Sequence, residues 1–447
     1  MNEQQKIGLF IKSMRESRGM TQEEFARALR TSQSAVARME AGKQNFTTHA
    51  LEKISKIIGR KIIETSDSID FRIEGGRALH GVIETNASKN GALGVLAASL
   101  LNRAPSVLHG IPRIEEINRF VEVLHSIGVG VEWIGKNSVR ITPPKKISLQ
   151  KLNNVSAGKI RSVLMLIGSF IHWEQSFHIP HAGGCKMGNR TIAAHRYGLE
   201  ELGVKIITHD LYYEVRAQKL RAGTITLYEA SDTAAENILI AAARVPGTTT
   251  ISFATSNYQV QEVCFFLEKL GVRIEGIGTS TLTVYGVADI NTPVEYFNSE
   301  DPIESMMFLS AAITTGSQLT ITRCPIDFLK LELLKLEKMG LRYKLLKEYF
   351  SHNEKTKLAD ITVYPSKLHA PADKLHAQPY PGINTDNLPF FVPIATQAKG
   401  TTLIHDWMWE NRAIYFTELN RLGANITLAD PHRAFVQGPT PLKAAQV

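Results

Sequence analysis

Apolar positions along this chain alternate between two rhythms, and the alternation itself repeats. From Leu93 to Leu101 the residues are apolar nearly all round, which predicts a helix buried on every side. Similar small-residue-rich runs lie at 163–171, 238–245, 307–314 and 390–397. Each is followed by a short run that predicts a strand: Ser106-Val107-Leu108, Ser176-Phe177-His178-Ile179, Thr249-Thr250-Ile251-Ser252, Leu319-Thr320-Ile321-Thr322 and Thr402-Leu403-Ile404. A second, amphipathic helix then closes on a hydrophobic–Gly–hydrophobic step at Gly128, Gly203, Gly271, Gly340 and Gly423, where glycine suits the left-handed residue that ends a helix. These glycines recur at similar intervals, which marks a repeat. The pattern predicts five copies of a helix–strand–helix–strand unit, layered as α/β with one helix set between sheets. Six copies would make two domains of three. The sequence stops at Val447, well short of another interval after Gly423. A sixth unit is therefore expected to be absent, leaving apolar faces of its neighbours uncovered.

Residues 1–62 follow a different rule. Phe10, Ile11 and Met14 are spaced for a helix over 8–18, which Gly19 interrupts. Thr21-Gln22-Glu23-Glu24 is a capping box that opens a short helix through Leu29. Thr31 or Ser32 can cap the next helix, which runs through Val36 and Met39 to Gly42, and a last helix is expected over about 48–58. Two short helices around a tight turn have helix-turn-helix spacing. Met20–Ala26 and Ser32–Gly42 resemble the Cro/Xre family of DNA-binding domains. By that resemblance residues 1–62 bind DNA, and the second helix of the pair enters the major groove. Gln33 and Ser34 then face base edges, while Gln22 and Arg38 meet phosphates or base edges from either side. Such heads act in pairs on paired half-sites, which implies a homodimer. Without the resemblance, the same residues also describe a four-helix adaptor. Residues 63–70, rich in Ser and Asp, read as a linker to a body spanning 71–447.

Charge supports this division. The chain has 447 residues and a net charge of +8, of which +5 falls within positions 1–66. A basic head on a nearly neutral body places any nucleic-acid contact in the head. With 43% hydrophobic and 21% charged residues the composition is that of a globular protein, and the length suggests roughly three domains. No apolar run approaches the ~18 residues of a membrane span, and the polar start lacks the apolar stretch of a signal peptide. Three cysteines argue against a disulfide framework and for the cytoplasm.

Three motifs in the body carry chemistry. Asn86-Ala87-Ser88-Lys89-Asn90-Gly91-Ala92-Leu93 sits at a loop-to-helix junction, where backbone amides and a lysine suit a phosphate. Ala182-Gly183-Gly184-Cys185-Lys186-Met187-Gly188-Asn189-Arg190 surrounds a cysteine with glycines and two cations that would favour a thiolate. Ile383-Asn384-Thr385-Asp386 offers a carboxylate, readable either as a base or as a helix cap before Leu388, and Trp409-Glu410-Asn411-Arg412 follows. Cys264 and Cys324 lie on apolar segments and read as core.

These motifs and the repeat resemble the enolpyruvyl transferases, most closely the branch acting on UDP-N-acetylglucosamine. The resemblance implies an all-α helix-turn-helix head followed by an inside-out α/β repeat body of two lobes, with the active site in the cleft between them. One lobe would comprise 71–88 with 295–447, the other 89–294. It also implies substrates, phosphoenolpyruvate and UDP-N-acetylglucosamine, and addition–elimination without metal or cofactor. Lys89 would hold the phosphate of phosphoenolpyruvate, Asn90 the sugar nucleotide, and Arg161 (in Gly158-Lys159-Ile160-Arg161-Ser162) the nucleotide site. Cys185 would be the general acid toward the enolpyruvyl carbon and Arg190 a phosphoenolpyruvate ligand. Asp386 would take the proton of the sugar 3-hydroxyl, and Arg412 matches an arginine of the family. The product belongs to peptidoglycan precursor synthesis. The chain departs from the family pattern at Ala193, usually acidic, at Thr191, usually proline, and at Ser256-Asn257-Tyr258-Gln259, usually Arg-Glu-Pro-Glu. A non-catalytic DNA-binding regulator with a ligand-sensing body is the alternative. Shikimate-type transfer is disfavoured by the Gly-Gly-Cys loop.

Overall fold

The computed structural model describes residues 8, 9, 11–13, 15, 16, 18–43, 53, 54, 57, 73–183 and 191–446. The chain divides into two compact units, Met1–Gly75 and Gly76–Val447. The expected linker at 63–70 lies outside the described residues, as does most of the helix expected at 48–58, of which 53, 54 and 57 are helical.

In the first unit the capping box forms as its residues dictate. Thr21 Oγ1 accepts from the Glu24 amide, the Glu24 carboxylate accepts from the Thr21 amide, and helix α1 (Gln22–Leu29) follows. Ser32, rather than Thr31, caps α2 (Gln33–Glu40) by accepting from the Ala35 amide. Ile11, Phe25, Ala26, Leu29, Val36 and Ile54 make the core. Beside it the buried Glu40 carboxylate accepts from Arg15 Nε at 2.5 Å and from Gln22 Nε2 at 2.9 Å, so the charge taken out of water is paired.

The second unit contains five sheets among its described residues, and they share one plan. The strand after each apolar helix pairs antiparallel with the second strand of a hairpin. In four sheets its other edge pairs with a parallel strand from elsewhere in the chain. Thus Ser106–His109 lies between Ser138–Thr142 and the parallel strand Val294–Phe297. Gln318–Pro325 lies likewise beside His80–Glu84, Gly247–Ser252 beside Thr224–Thr226, and Gly400–His405 beside Leu375–His376. The fifth sheet, begun by Ser176–Pro180, shows three strands. Each of the five predicted glycines ends its helix at positive φ, from 88° at Gly423 to 105° at Gly340. At Gly203 a Cβ would lie 2.2 Å from the Lys219 carbonyl oxygen, which excludes any larger residue.

Two hydrophobic cores result, one built from Ala92 to Tyr296 and one from Met306 to Val436. They define two lobes. The expected lobe boundary needs one correction: Val294–Phe297 pairs with Ser106–His109, so residues 295–297 belong to the first lobe, not the second. The first lobe packs three inner helices together: α3 (Lys89–Ser99, with Ser88 as cap), a 3-10 turn Arg161–Met165 continuing into α5 (Leu166–Phe170), and α7 (Asp232–Ala243). Its amphipathic helices are α4 (Glu115–Ser126), α6 (Ala193–Glu201) and α8 (Tyr258–Lys269). Every residue of α3 from Gly91 and of α7 from Ala234 is buried, as their all-round apolarity predicts. The helices begin earlier than their apolar runs because polar first turns face the site described below.

The stretch expected as a plain helix at 163–171 is interrupted for an identifiable reason. Asn237 inserts its side chain where an i→i−4 bond would run. Its Oδ1 accepts from the Gly168 amide at 2.7 Å and its Nδ2 donates to the Leu164 carbonyl at 2.9 Å. Gly168 leaves the room, since a Cβ there would meet the Asn237 carbonyl at 2.4 Å.

The second lobe pairs α9 (Pro302–Thr314) with α11 (Leu388–Gln397), and adds α10 (Lys330–Lys338) and α12 (Arg412–Phe416). Here burial is incomplete. Met307 on α9 is 40% exposed, and Ile303, Phe308 and Ala311 are only half-buried.

Candidate active site

The polar first turns of the inner helices and the segment 380–412 meet at the boundary between the two lobes. On α3, Ser88 Oγ accepts from the Gly91 amide and fixes the helix start. This presents Lys89 and Asn90 at the N-terminus, where the helix dipole favours an anion. The Lys89 ammonium donates to Glu116 Oε2 at 2.8 Å, while Ser162 Oγ donates to the other oxygen of the same carboxylate at 3.0 Å. The Lys89 amide is held by Asp301, the cap of α9, whose carboxylate also accepts from the Ile303 amide at 2.8 Å. Burial pushes the Asp301 carboxyl up to about 6 despite these amides. Asn90 Nδ2 donates to the Tyr258 hydroxyl at 2.9 Å.

Across the boundary, Asp386 follows a loop that a buried carboxylate organises. Glu332 Oε1 accepts from the Asn384 amide at 3.2 Å and from Asn387 Nδ2 at 2.9 Å. Asn384 Oδ1 in turn accepts from the Asp386 amide at 2.9 Å. The helix-cap reading of Asp386 is not realised: Asn387 occupies the cap of α11, and no side chain bonds there. Instead the Asp386 carboxylate lies 3.6 Å from Arg412 Nη1. Arg412 is buried, donates through Nη2 to the Thr385 carbonyl at 2.5 Å, and makes a close ion pair through Nε with the fully buried Asp406. Trp409 Nε1 donates to Thr385 Oγ1 at 2.9 Å.

Electrostatic reach joins the two halves. The Asp386 charge raises the pKa of Asp232, at the first turn of α7, and of the Tyr258 phenol, both already raised by burial. Asp301 acts on Tyr258 in the same sense. Lys89, Asn90, Asp386 and Arg412, four of the residues singled out from the sequence, thus gather around one boundary.

Arg161 opens the 3-10 turn of the first lobe and donates through Nη2 to the Thr191 carbonyl at 2.9 Å. Cys185, Lys186 and Arg190 lie outside the described residues. Shortly before them in the chain, Gly183 packs against the Arg161 segment so closely that a Cβ would sit 2.0 Å from the Gly158 carbonyl. Cys264 and Cys324 are buried, as expected, and burial drives the Cys324 thiol up to about 12. His195, near the cysteine motif in sequence, faces Asn237 in the core.

Sequence reasoning missed Glu116, Tyr258, Asp232, Asp301 and Asp406. For Asp301 a signal existed, since Asp followed by Pro302 and Glu304 is a helix-start signature. The others stand on patterns that predict only helix or loop. Among the described residues no group of three or more His, Cys, Asp or Glu is placed to hold a metal ion, and no helix is long and apolar enough to cross a membrane.

In the first unit Gln33, Ser34 and Arg38 are exposed on α2, and 34 and 38 share a face at i, i+4 spacing. Gln22 is half-buried, with its amide turned to Glu40 rather than outward.

Residues 73–447 match the EPSP synthase family (3-phosphoshikimate 1-carboxyvinyltransferase), and residues 11–64 match a helix-turn-helix family. The chain is similar to the UDP-N-acetylglucosamine 1-carboxyvinyltransferase of Bradyrhizobium diazoefficiens, at 34% identity over 379 residues, covering 84% of this chain and 86% of that one. The enzyme of the same name from Treponema denticola is 34% identical over 379 residues, covering 85% and 87%. In fold, the enolpyruvyl transferase NikO from Streptomyces tendae superposes with a TM-score of 0.71 at 23% identity, over 83% of this chain and 84% of that one. An EPSP synthase from Acinetobacter baumannii does so with a TM-score of 0.62 at 16% identity, over 82% and 84%.

Proposed function

Because the chain belongs to the EPSP synthase family of carboxyvinyltransferases and carries a helix-turn-helix domain ahead of that region, we propose that it transfers the enolpyruvyl group of phosphoenolpyruvate to the 3-hydroxyl of UDP-N-acetylglucosamine, releasing phosphate. The observation that carries the reading is the link across the lobe boundary: Asp301 holds the Lys89 amide, and Tyr258, which holds Asn90, packs on Phe328 within electrostatic reach of Asp386, the partner of Arg412. The acceptor follows the relatives' printed activity and the Gly-Gly-Cys motif.

In this reading Asp386 takes the proton of the sugar 3-hydroxyl as its oxygen bonds to C2 of phosphoenolpyruvate. Cys185 delivers a proton to C3, so the double bond becomes a tetrahedral centre that carries both the sugar oxygen and the phosphate. Loss of a proton from C3 then re-forms the double bond as the C2–O bond to phosphate breaks. Lys89 and Arg190 hold that phosphate, favoured by the helix N-terminus. Lys89 must exchange Glu116 for the phosphate, an exchange between two anions of one cation. Arg161 serves the nucleotide. Arg412, anchored on Asp406 and Thr385, orients Asp386.

The substrates place the reaction in the cytoplasm and in peptidoglycan precursor synthesis. Residues 1–62 bind duplex DNA through Gln33, Ser34 and Arg38 on the exposed face of α2, as a homodimer on paired half-sites, with Gln22 bracing Glu40 behind that face.

The test is release of phosphate from phosphoenolpyruvate by the purified full chain. It is expected only when UDP-N-acetylglucosamine is present, and to be lost in Cys185→Ala and Asp386→Asn. Sugar-nucleotide binding without any phosphate release by the unaltered protein would overturn transfer. It would favour the ligand-sensing regulator, a reading to which the Lys89–Glu116 pair lends support because it ties the phosphate lysine to a carboxylate.

A further inference from the structure

We propose that Tyr258 is the positioning residue for the acceptor: its hydroxyl orients the Asn90 carboxamide while its ring touches the lobe that carries Asp386. The inference rests on the transfer reading above and adds a residue to it, at a place where the family pattern quoted earlier has no aromatic side chain.

Tyr258 is the first residue of α8 and is clamped there from both sides. Asn257 caps the helix, with Oδ1 accepting from the Tyr258 amide at 2.9 Å and Nδ2 donating to Asp232 at 2.8 Å. On the other side Gln259 Nε2 donates to Glu236 at 3.1 Å. Two amide–carboxylate bonds to α7 therefore fix the backbone that carries the phenol. The side chain is only 6% exposed, so its hydroxyl points where the backbone sends it.

That hydroxyl accepts from Asn90 Nδ2. With Nδ2 engaged, Asn90 Oδ1 has no hydrogen-bond partner among the described residues, and Asn90 is half-buried rather than sealed. The carboxamide is thus set to accept from a ligand, and the ligand must present a hydroxyl or N–H there. Burial and the nearby Asp301 and Asp386 carboxylates keep the phenol protonated, so this orientation does not change with pH in the working range.

The ring makes the second contact. Its centroid lies 5.9 Å from Phe328 at 71°, an edge contact between the lobes, and Phe328 lies 5.2 Å from Tyr380. Tyr380 begins the segment that leads to Asp386. One side chain thereby sets the spacing between the group that holds the acceptor and the group that takes its proton.

Steady-state kinetics of Tyr258→Phe in the full chain tests this, because phenylalanine keeps the ring and removes only the hydroxyl. The KM for UDP-N-acetylglucosamine is expected to rise roughly 5- to 10-fold, the effect of one lost hydrogen bond. The KM for phosphoenolpyruvate is expected to stay unchanged, with kcat within about twofold. Unchanged acceptor KM, or an equal rise in both KM values, would overturn the proposal, the latter marking a merely structural role. If the unaltered protein does not turn over, transfer itself has failed, and calorimetric titration with UDP-N-acetylglucosamine then decides the role of Tyr258. Binding weakened by a similar factor in Tyr258→Phe supports it. Equal affinity, or no binding to either protein, refutes it.

Discussion

Arg412 offers a way to separate what the site needs for folding from what it needs for chemistry. Its guanidinium is buried and holds Asp406, which has no exposed surface, while its Nη1 reaches toward Asp386 at 3.6 Å. Arg412→Ala would leave the Asp406 carboxylate buried without its cation. Removing one partner of such a pair costs about 3–5 kcal/mol. Burial already raises the Asp406 pKa even with Arg412 beside it, so the lone carboxyl is expected to rise further and take up a proton. Removing both charges tells the other half. Arg412→Met with Asp406→Leu replaces the pair by apolar groups of similar bulk, a change that is often neutral in stability. The double variant is therefore expected to recover most of the lost stability and none of the activity, since Asp386 still lacks its orienting cation. Misplacement of the base is expected to cost on the order of 100-fold in kcat. Urea unfolding followed by tryptophan fluorescence reports on this lobe through Trp407 and Trp409, which lie between the two residues in the chain. A loss below about 1 kcal/mol in Arg412→Ala, or activity restored in the double variant, would refute the reasoning.

Glu262 is fully buried and its carboxyl is raised from 4.5 to about 7, mainly by burial, although Tyr296 and the Ser299 amide donate to it. Between those two values the folded chain keeps a proton that the unfolded chain releases, so this group makes stability fall as pH rises through that window, by about 3 kcal/mol in all, and adds no slope above it. Glu262→Gln is expected to remove that slope in urea midpoints, and an identical pH dependence in both proteins would refute the assignment. Leu96→Ala, at a fully buried position on α3, is expected to cost about 2–5 kcal/mol, while Met307→Ala on the uncovered face of α9 costs well under half as much. Equal losses in denaturant unfolding would show that α9 is covered in solution. In the first unit, retention on duplex DNA is expected to weaken steeply with salt, and Arg38→Ala to shallow the log–log salt slope by about 1. An unchanged slope would remove Arg38 from the phosphate contacts.

The repeat was legible because its signal is backbone chemistry. A glycine at positive φ after each amphipathic helix leaves the same mark five times, and all-round apolarity correctly identified α3 and α7 as buried. The capping box at Thr21 was equally readable, since both of its hydrogen bonds are local. What escaped depends on partners distant in sequence. Asn237 breaks the helix at Gly168 from another repeat unit, and Val294–Phe297 crosses to the first lobe to pair with Ser106–His109, near that lobe's start. Asp386 and Lys89 stand in motifs that a family resemblance singles out, whereas Glu116 and Asp406, which hold Lys89 and Arg412, carry no local pattern. Tyr258 was noted only as a departure, because the residue it serves, Asn90, lies far earlier in the chain.

The central claim, that these residues move an enolpyruvyl group rather than a phosphoryl group, is tested most directly by following the bridging oxygen of phosphoenolpyruvate. With the heavy isotope at the C2–O–P position and UDP-N-acetylglucosamine as acceptor, mass spectrometry of the released phosphate is expected to find all of the label, and the sugar nucleotide is expected to gain the three-carbon enol ether without it. Label left in pyruvate, or a phosphorylated sugar nucleotide, would mean that the P–O bond had broken and would contradict the account.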